Sequence, residues 1–258
     1  MFKNQRHEEI IRLLKEDGFA SVKELSERLY ASLPTIRRDL DYLQKEGLIH
    51  RSHGGAIAAD EKRKAPVSFR SGTNFRQKAR ICRVASELIR KGNVIFTDAS
   101  TTVTHLVDFI DEKDDLTVIT NGYPICRMLA EKNIRTYSTG GRLLKSSMAF
   151  VGSAAEETVN GFNADLFFFS SSSLDETGMI SDYSEEEAAL RKVMYDRSYK
   201  RVFLVDSKKF GSKSAFRSFP LSEVDHIITD AFLPEELVDQ HRLSIYKQYE
   251  TVTWYVKT

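Results

Sequence analysis

Residues 21–46 read SVKELSERLYASLPTIRRDLDYLQKE, and this stretch predicts two short capped helices separated by a tight turn. Ser21 with Glu24 three positions on has the spacing of a capping box, in which each side chain satisfies the other residue's backbone N–H. Val22, Leu25 and Leu29 then share one face. Tyr30-Ala31 leads to Ser32, a second N-cap, and Pro34 falls in the first turn, where a missing N–H costs nothing. Ile36, Leu40 and Leu43 lie at i, i+4 and i+7 and form one buried stripe. With that stripe turned inward, Thr35, Arg37 and Arg38 project near the helix start. The pattern is a helix-turn-helix. In a major groove Arg can hold guanine through two hydrogen bonds, and Thr can reach a phosphate. The N–H groups at Ser32 and Leu33 face an anion.

Upstream, residues 4–16 predict a further helix with Ile10, Ile11, Leu13 and Leu14 on its apolar side and Gly18 as its stop. Downstream, residues 48–51 and 54–57 predict two small strands joined by a turn, which makes Arg51 and His53 a basic wing. The candidate DNA contacts are therefore Lys23, Ser32, Pro34, Thr35, Arg37, Arg38, Arg51 and His53. Bulk charge does not argue for nucleic acid, since residues 1–57 hold ten Lys and Arg against nine Asp and Glu. The case rests on where Arg37, Arg38 and Arg51 cluster.

Composition shifts after residue 58 to Asp60-Glu61-Lys62-Arg63-Lys64 and Pro66, the make-up of a solvated linker. The expected division is a DNA-binding domain over 3–58, a linker over 59–74 and a larger domain over 75–258. In the larger domain, strands are expected at 94–97, 116–120, 135–138, 166–169, 202–205 and 227–229. Helices are expected at 101–110 and 123–131. Such alternation predicts a Rossmann-like α/β domain, with a mainly parallel sheet covered on both faces. Ligands of such sheets bind beyond the carboxyl ends of the strands. Asp98, Ser100, Thr101 and Thr102 follow the first of these strands, Thr120 and Asn121 the second, Gly140 and Gly141 the third, and Lys209 a later one. Together they offer hydroxyl-rich turns, an amide and an ammonium, a set suited to a phosphorylated polyol.

Residues 10–56 resemble the DNA-binding domain of the DeoR family of transcriptional regulators. The resemblance is carried by Ser21-Val22-Lys23-Glu24-Leu25, by Thr35-Ile36-Arg37-Arg38-Asp39-Leu40 and by His53-Gly54-Gly55-Ala56. Residues 75–231 are similar to that family's C-terminal sensor domain at Lys78, at 98–102, at Asn121, at Gly140-Gly141 and at Lys209-Phe210, among other positions. The resemblance implies a fold related to sugar-phosphate isomerases and a phosphorylated sugar effector that relieves repression of a carbohydrate-metabolism operon. It implies that Ser100, Thr101 and Thr102 hold the phosphate, that Asp98 and Asn121 meet ligand hydroxyls, and that Lys209 adds charge. Ser100 stands where the family usually has glycine. Four serines, at positions 170 to 173, replace a stretch that commonly contains one.

The remaining features narrow the class. Two cysteines, Cys82 and Cys126, cannot build a disulfide framework or a metal cluster. His50 and His53 have no partners at ligand spacing, so no metal or other cofactor is expected. A charged N-terminus and the lack of a long apolar run predict a cytoplasmic protein with no membrane partner. The expected partners are operator DNA, the effector and a second copy of the chain, in a homodimer or higher oligomer, since paired half-sites call for one. The competing reading is a sugar-phosphate isomerase fused to a DNA module, with Asp98, Asp206 and Lys209 as its acid–base groups. A regulator, not an enzyme, is the expectation.

Overall fold

Helix α1 (Lys3–Asp17) stops at Gly18, whose φ of +71° lets the chain turn back sharply. The structure is a computed structural model describing residues 2–52, 54–58 and 67–258. The chain forms two units, residues 1–75 and 76–258.

In the first unit α2 (Val22–Arg28) starts with the capping box in place. Ser21 Oγ accepts from Glu24 N at 3.1 Å, and Glu24 Oε2 accepts from Ser21 N at 2.7 Å. Helix α3 (Leu33–Lys45) begins at Ser32, whose Oγ accepts from Thr35 N at 3.4 Å. Its Ile36, Leu40 and Leu43 are buried against Ile10, Leu13, Leu14, Leu25 and Leu29. Each such side chain contributes about 1.5–3 kcal/mol by leaving water, enough to define a core in a small unit.

Strands β1 (Ala20–Ser21), β2 (Ile49–Arg51) and β3 (Gly55–Ala58) form an antiparallel sheet in the order β1-β3-β2. Strand β1 has too few residues to leave a pattern in the sequence. Its partner requires Gly55, because a Cβ there would stand 2.2 Å from the Ala20 carbonyl oxygen.

The expected linker is partly structured. Residues 59–66, which hold the charge run, lie outside the described residues. Helix α4 (Val67–Gly72) follows, and its Phe69 is buried against Ile57 and Phe19. An aromatic side chain with apolar neighbours within reach is drawn out of water, whatever the composition around it.

Helix α5 (Phe75–Ala85) leads into the second unit and is followed by β4 (Val94–Thr97) and β5 (Thr117–Thr120). Next come α6 (Tyr123–Glu131), β6 (Arg135–Ser138), β7 (Arg142–Leu144), β8 (Ala149–Val151), α7 (Ser153–Asn160) and β9 (Ala164–Phe169). Strands β10 (Ser173–Leu174) and β11 (Met179–Asp182), helix α8 (Glu185–Asp196) and strand β12 (Ser198–Val205) continue the chain. It ends with β13 (Phe216–Pro220), β14 (His226–Thr229), α9 (Glu235–Gln240), β15 (Leu243–Gln248) and β16 (Thr253–Lys257).

Eight strands make the main sheet, in the order β15-β16-β14-β12-β9-β4-β5-β6. From β14 to β6 every pairing is parallel, while β16 and β15 run antiparallel at one edge. The register of β15 slips between Ile245 and Lys247. Helices cover both faces. Ile95, Val118, Phe168 and Val202 pack towards α5 and α6, and Phe96, Ile119, Phe167, Phe169 and Phe203 towards α7 and α8. This is the α/β arrangement expected.

One element differs in kind. The helix expected over 101–110 is a 3-10 helix, Val103–Phe109. Thr104 Oγ1 donates to the Ser100 carbonyl and Ser100 Oγ accepts from Val103 N, so side chains take up backbone groups in its first turn.

Candidate functional site

In the first unit, both Arg37 and Arg38 are exposed on α3, and among the described residues neither guanidinium has an acidic partner. Asp41, one turn after Arg37, pairs instead with Arg51 of the wing, and Arg51 Nη1 also donates to the Arg37 carbonyl at 3.4 Å. Arg51, expected as a DNA contact, is therefore held against α3. Lys23 is exposed and stands 3.8 Å from Glu27. Ser32 and Pro34 are exposed and Thr35 half-buried, with the two hydroxyls bonded to each other at 2.9 Å. His53 lies outside the described residues.

A buried cluster fixes α3 on α1. Asp39 accepts from Arg6 Nε at 2.6 Å and lies 3.0 Å from His7 Nε2. Burial opposes the Asp39 charge, but the bonds from Arg6 and His7 outweigh it and hold the carboxyl below the usual carboxylate range. His7 also stacks on Tyr42, with Lys3 over the same ring at 4.6 Å. Asp39 sits between the stripe and the exposed face, so it sets the rotation at which α3 presents its arginines.

In the second unit the parallel strands bring six turns to one edge of the sheet. In spatial order these follow β6, β5, β4, β9, β12 and β14. The turns carrying Gly140 and Gly141, Thr120 and Asn121, residues 98–102, the four serines and Lys209 are thus consecutive neighbours. Lys209 Nζ is 2.8 Å from Ser170 Oγ and 3.4 Å from Thr102 Oγ1. From the other side Lys78 of α5, buried, donates to Thr101 Oγ1 at 3.0 Å. Two ammonium groups therefore flank the hydroxyl turn. With burial, the Lys78 charge also pushes His105 below its ordinary value.

Asp98 is committed to internal partners. Its Oδ1 accepts from Ser100 N at 3.1 Å, and its Oδ2 from Ser170 N at 3.1 Å and from Arg191 Nη2 at 3.2 Å. Arg191 bonds Asp182 as well, and Asp182 accepts from Ser172 N and Oγ. Burial works against the Arg191 charge, yet Asp182, Asp98 and Glu187 outweigh it and keep the guanidinium ionised. The serine run is thus tied to the turn after β4 through one buried cation.

Asn121 donates from Nδ2 to the Phe150 carbonyl at 3.1 Å, while its buried Oδ1 has no partner among the described residues. Thr97 and Thr229, the last residues of β4 and β14, each bury an Oγ1 with no partner among the described residues. Thr120 Oγ1 is taken by Gly122 N at 3.0 Å. Gly140 donates to Ser138 Oγ, and Gly141, with φ +95°, lies where a Cβ would stand 2.5 Å from the Val151 carbonyl oxygen. Gly141 thus lets the turn after β6 close against β8.

Lys78, Arg191 and Asp182 carry no site signal in the sequence beyond the family match at Lys78. They sit on helices or an ordinary strand, and their partners are distant in the chain. Cys82 is buried and its Sγ donates to the Thr102 carbonyl, whereas Cys126 is only half-buried; burial pushes both thiols up. Among the described residues no group of His, Cys, Asp and Glu is placed to hold a metal, and no helix is long and apolar enough to cross a membrane.

Comparison with known proteins bears on both units. Residues 6–62 match the DeoR-like helix-turn-helix domain, and residues 73–231 match the DeoR C terminal sensor domain. The chain belongs to the DeoR family of transcriptional regulators. It is 34% identical to the uncharacterized HTH-type transcriptional regulator YulB of Bacillus subtilis over 231 residues, 89% of each chain. It is 30% identical to the glycerol-3-phosphate regulon repressor of Escherichia coli, over 93% of this chain and 98% of that one. The L-fucose operon activator of Haemophilus influenzae is 34% identical over 91% of this DeoR-family chain and 94% of its own.

Proposed function

We propose that this DeoR-family regulator is a repressor of an operon for carbohydrate metabolism, released from its operator by a phosphorylated sugar or polyol. The observation that carries the effector assignment is the pair of ammonium groups, Lys78 and Lys209, on either side of the Thr101 and Thr102 hydroxyls. A phosphate brought to this turn meets two cations and hydroxyl donors. The unpartnered Asn121 Oδ1, one strand away, accepts from a sugar hydroxyl. Asp98, Gly140 and Gly141 shape the turns rather than touch the ligand. The regulon names of the E. coli repressor and the H. influenzae activator, glycerol 3-phosphate and fucose, fit a carbon-source signal of this class.

At the DNA end, Arg37 and Arg38 read bases, while Ser32, Pro34, Thr35 and Lys23 meet the backbone. Arg51 holds the wing, and His53 is a further DNA contact. A single module of nearly balanced charge binds weakly, so the working form is a homodimer or higher oligomer in the cytoplasm. The effector must bind the DNA-competent and DNA-incompetent states with different affinity, or nothing is switched. The role is sensing rather than catalysis: the carboxylate nearest the hydroxyl turn, Asp98, is bonded to Arg191 and two backbone N–H groups.

A thermal-shift screen of sugar and polyol phosphates, paired with duplex binding, tests the reading. An effector at a hundred times its Kd stabilises the sensor unit by about 2.7 kcal/mol and lowers duplex affinity. Stabilisation by none of these phosphates, or turnover of one of them, overturns it.

A further inference from the structure

The first turn of α3 carries a large apolar side chain that the core does not use. Leu33 is 42% exposed, and it belongs neither to the buried cluster of the first unit nor to the side chains packed upon it. A lone exposed leucine is ordinary on a protein surface, so its position has to decide the matter. Leu33 is the first residue of α3, next to exposed Pro34 and one helical turn before Arg37. Residues four apart on a helix lie one above the other on the same face. Leu33 and Arg37 therefore form a row at the end of α3 that enters a groove. The two hydroxyls of that turn, on Ser32 and Thr35, are bonded to each other at 2.9 Å. Asp41, the one acid within reach of Arg37 on its own helix, is taken by Arg51. The row thus presents an apolar group followed by a guanidinium with no acidic partner among the described residues.

A major groove offers few partners for an apolar group. Its base edges are hydrogen-bond donors and acceptors, except for the C5 methyl of thymine. Resting on the DNA-binding role proposed above, we infer that Leu33 reads a thymine methyl in each half-site and that Arg37 reads a guanine beside it. Four residues of helix rise about 6 Å, against about 3.4 Å per base pair, so the two bases lie one or two pairs apart. Leu33 is thereby a specificity-determining residue: it favours thymine over cytosine through the methyl group.

The test uses the full chain. Duplexes are selected from a random pool, and each thymine of an enriched duplex is replaced singly by deoxyuridine, which lacks only the methyl. One position per half-site should weaken wild-type binding about fourfold, the worth of one buried carbon group. Leu33→Ala should bind more weakly and be indifferent to that replacement, whereas Leu33→Met, which keeps an apolar tip, should remain sensitive. Replacing the neighbouring guanine by 7-deazaguanine should weaken the wild type and leave Arg37→Ala unchanged. Tolerance of deoxyuridine at every position, or equal sensitivity in Leu33→Ala, overturns the inference while leaving DNA binding intact. Failure to enrich any duplex overturns the DNA-binding reading itself.

Discussion

Arg191 on α8 stands 3.2 Å from Asp98 in the turn after β4, and both side chains are almost wholly buried. The same guanidinium pairs with Asp182 of β11, so one cation neutralises two carboxylates that water does not reach. Arg191→Met leaves both acids unpaired. Breaking a buried ion pair from one side costs about 3–5 kcal/mol, and urea unfolding of the variant should show a loss of that order. A loss below about 1 kcal/mol would mean that the acids find other partners.

The two ammonium groups make a separate prediction for ligand binding. Thr101→Ala and Lys78→Met should each shrink the thermal shift produced by the effector, by about 1–2 kcal/mol for one lost charge-assisted bond. Duplex affinity without effector should stay as in the wild type. An undiminished shift in both variants would remove the phosphate from this turn.

For the operator, Arg38→Ala should lower affinity by about 1–3 kcal/mol, the usual value of a base-reading arginine. The thermal shift by effector should be preserved. Titrations at several salt concentrations separate the roles: a base contact relaxes sequence preference, whereas a phosphate contact flattens the salt dependence. Unchanged affinity would place Arg38 outside the interface.

His226 predicts a pH dependence in the sensor unit. Burial, with Lys200 nearby, pushes its imidazole down to about 4. Trp254 Nε1 donates to its Nδ1 at 3.1 Å, which requires the neutral ring with the proton on Nε2. The unfolded chain therefore binds a proton that the folded chain refuses between about pH 6.5 and 4. This contribution is complete above pH 6.5 and is lost as the pH falls towards 4. Urea midpoints measured from pH 8 to 4.5 should fall less steeply in His226→Gln. Identical slopes would exclude His226 as the cause.

The parts of this fold legible in the sequence are those whose signals are local. Ser21 with Glu24, and Ser32 before Pro34, mark helix starts because cap and helix are neighbours in the chain. Strands such as Val94–Thr97 and Arg135–Ser138 are bounded by polar turns, which makes their ends legible to the residue. Strand β1 leaves no trace, because two residues carry no period. Helix α4 is equally silent, because a single buried aromatic, Phe69, anchors a segment that follows a charged run in the sequence. Tyr30 takes φ +49° in the turn before α3, a conformation that Gly or Asn would have announced.

The candidate site divides in the same way. The hydroxyl turn and Lys209 follow strand ends, where position alone indicates a ligand. Lys78 and Arg191 meet Thr101 and Asp98 across 23 and 93 positions of sequence. Only the order of the parallel strands brings such groups together, and no spacing rule encodes it.

The slipped register at the outer strand of the main sheet has a consequence for handling the protein at high concentration. Lys247 sits beside the slip, and the opposite margin is only the four residues Arg135–Ser138. Neither rim offers a long flat ladder on which another molecule's backbone could template. Fibrous aggregation should therefore have to wait for unfolding, and solubility should track the melting of the sheet.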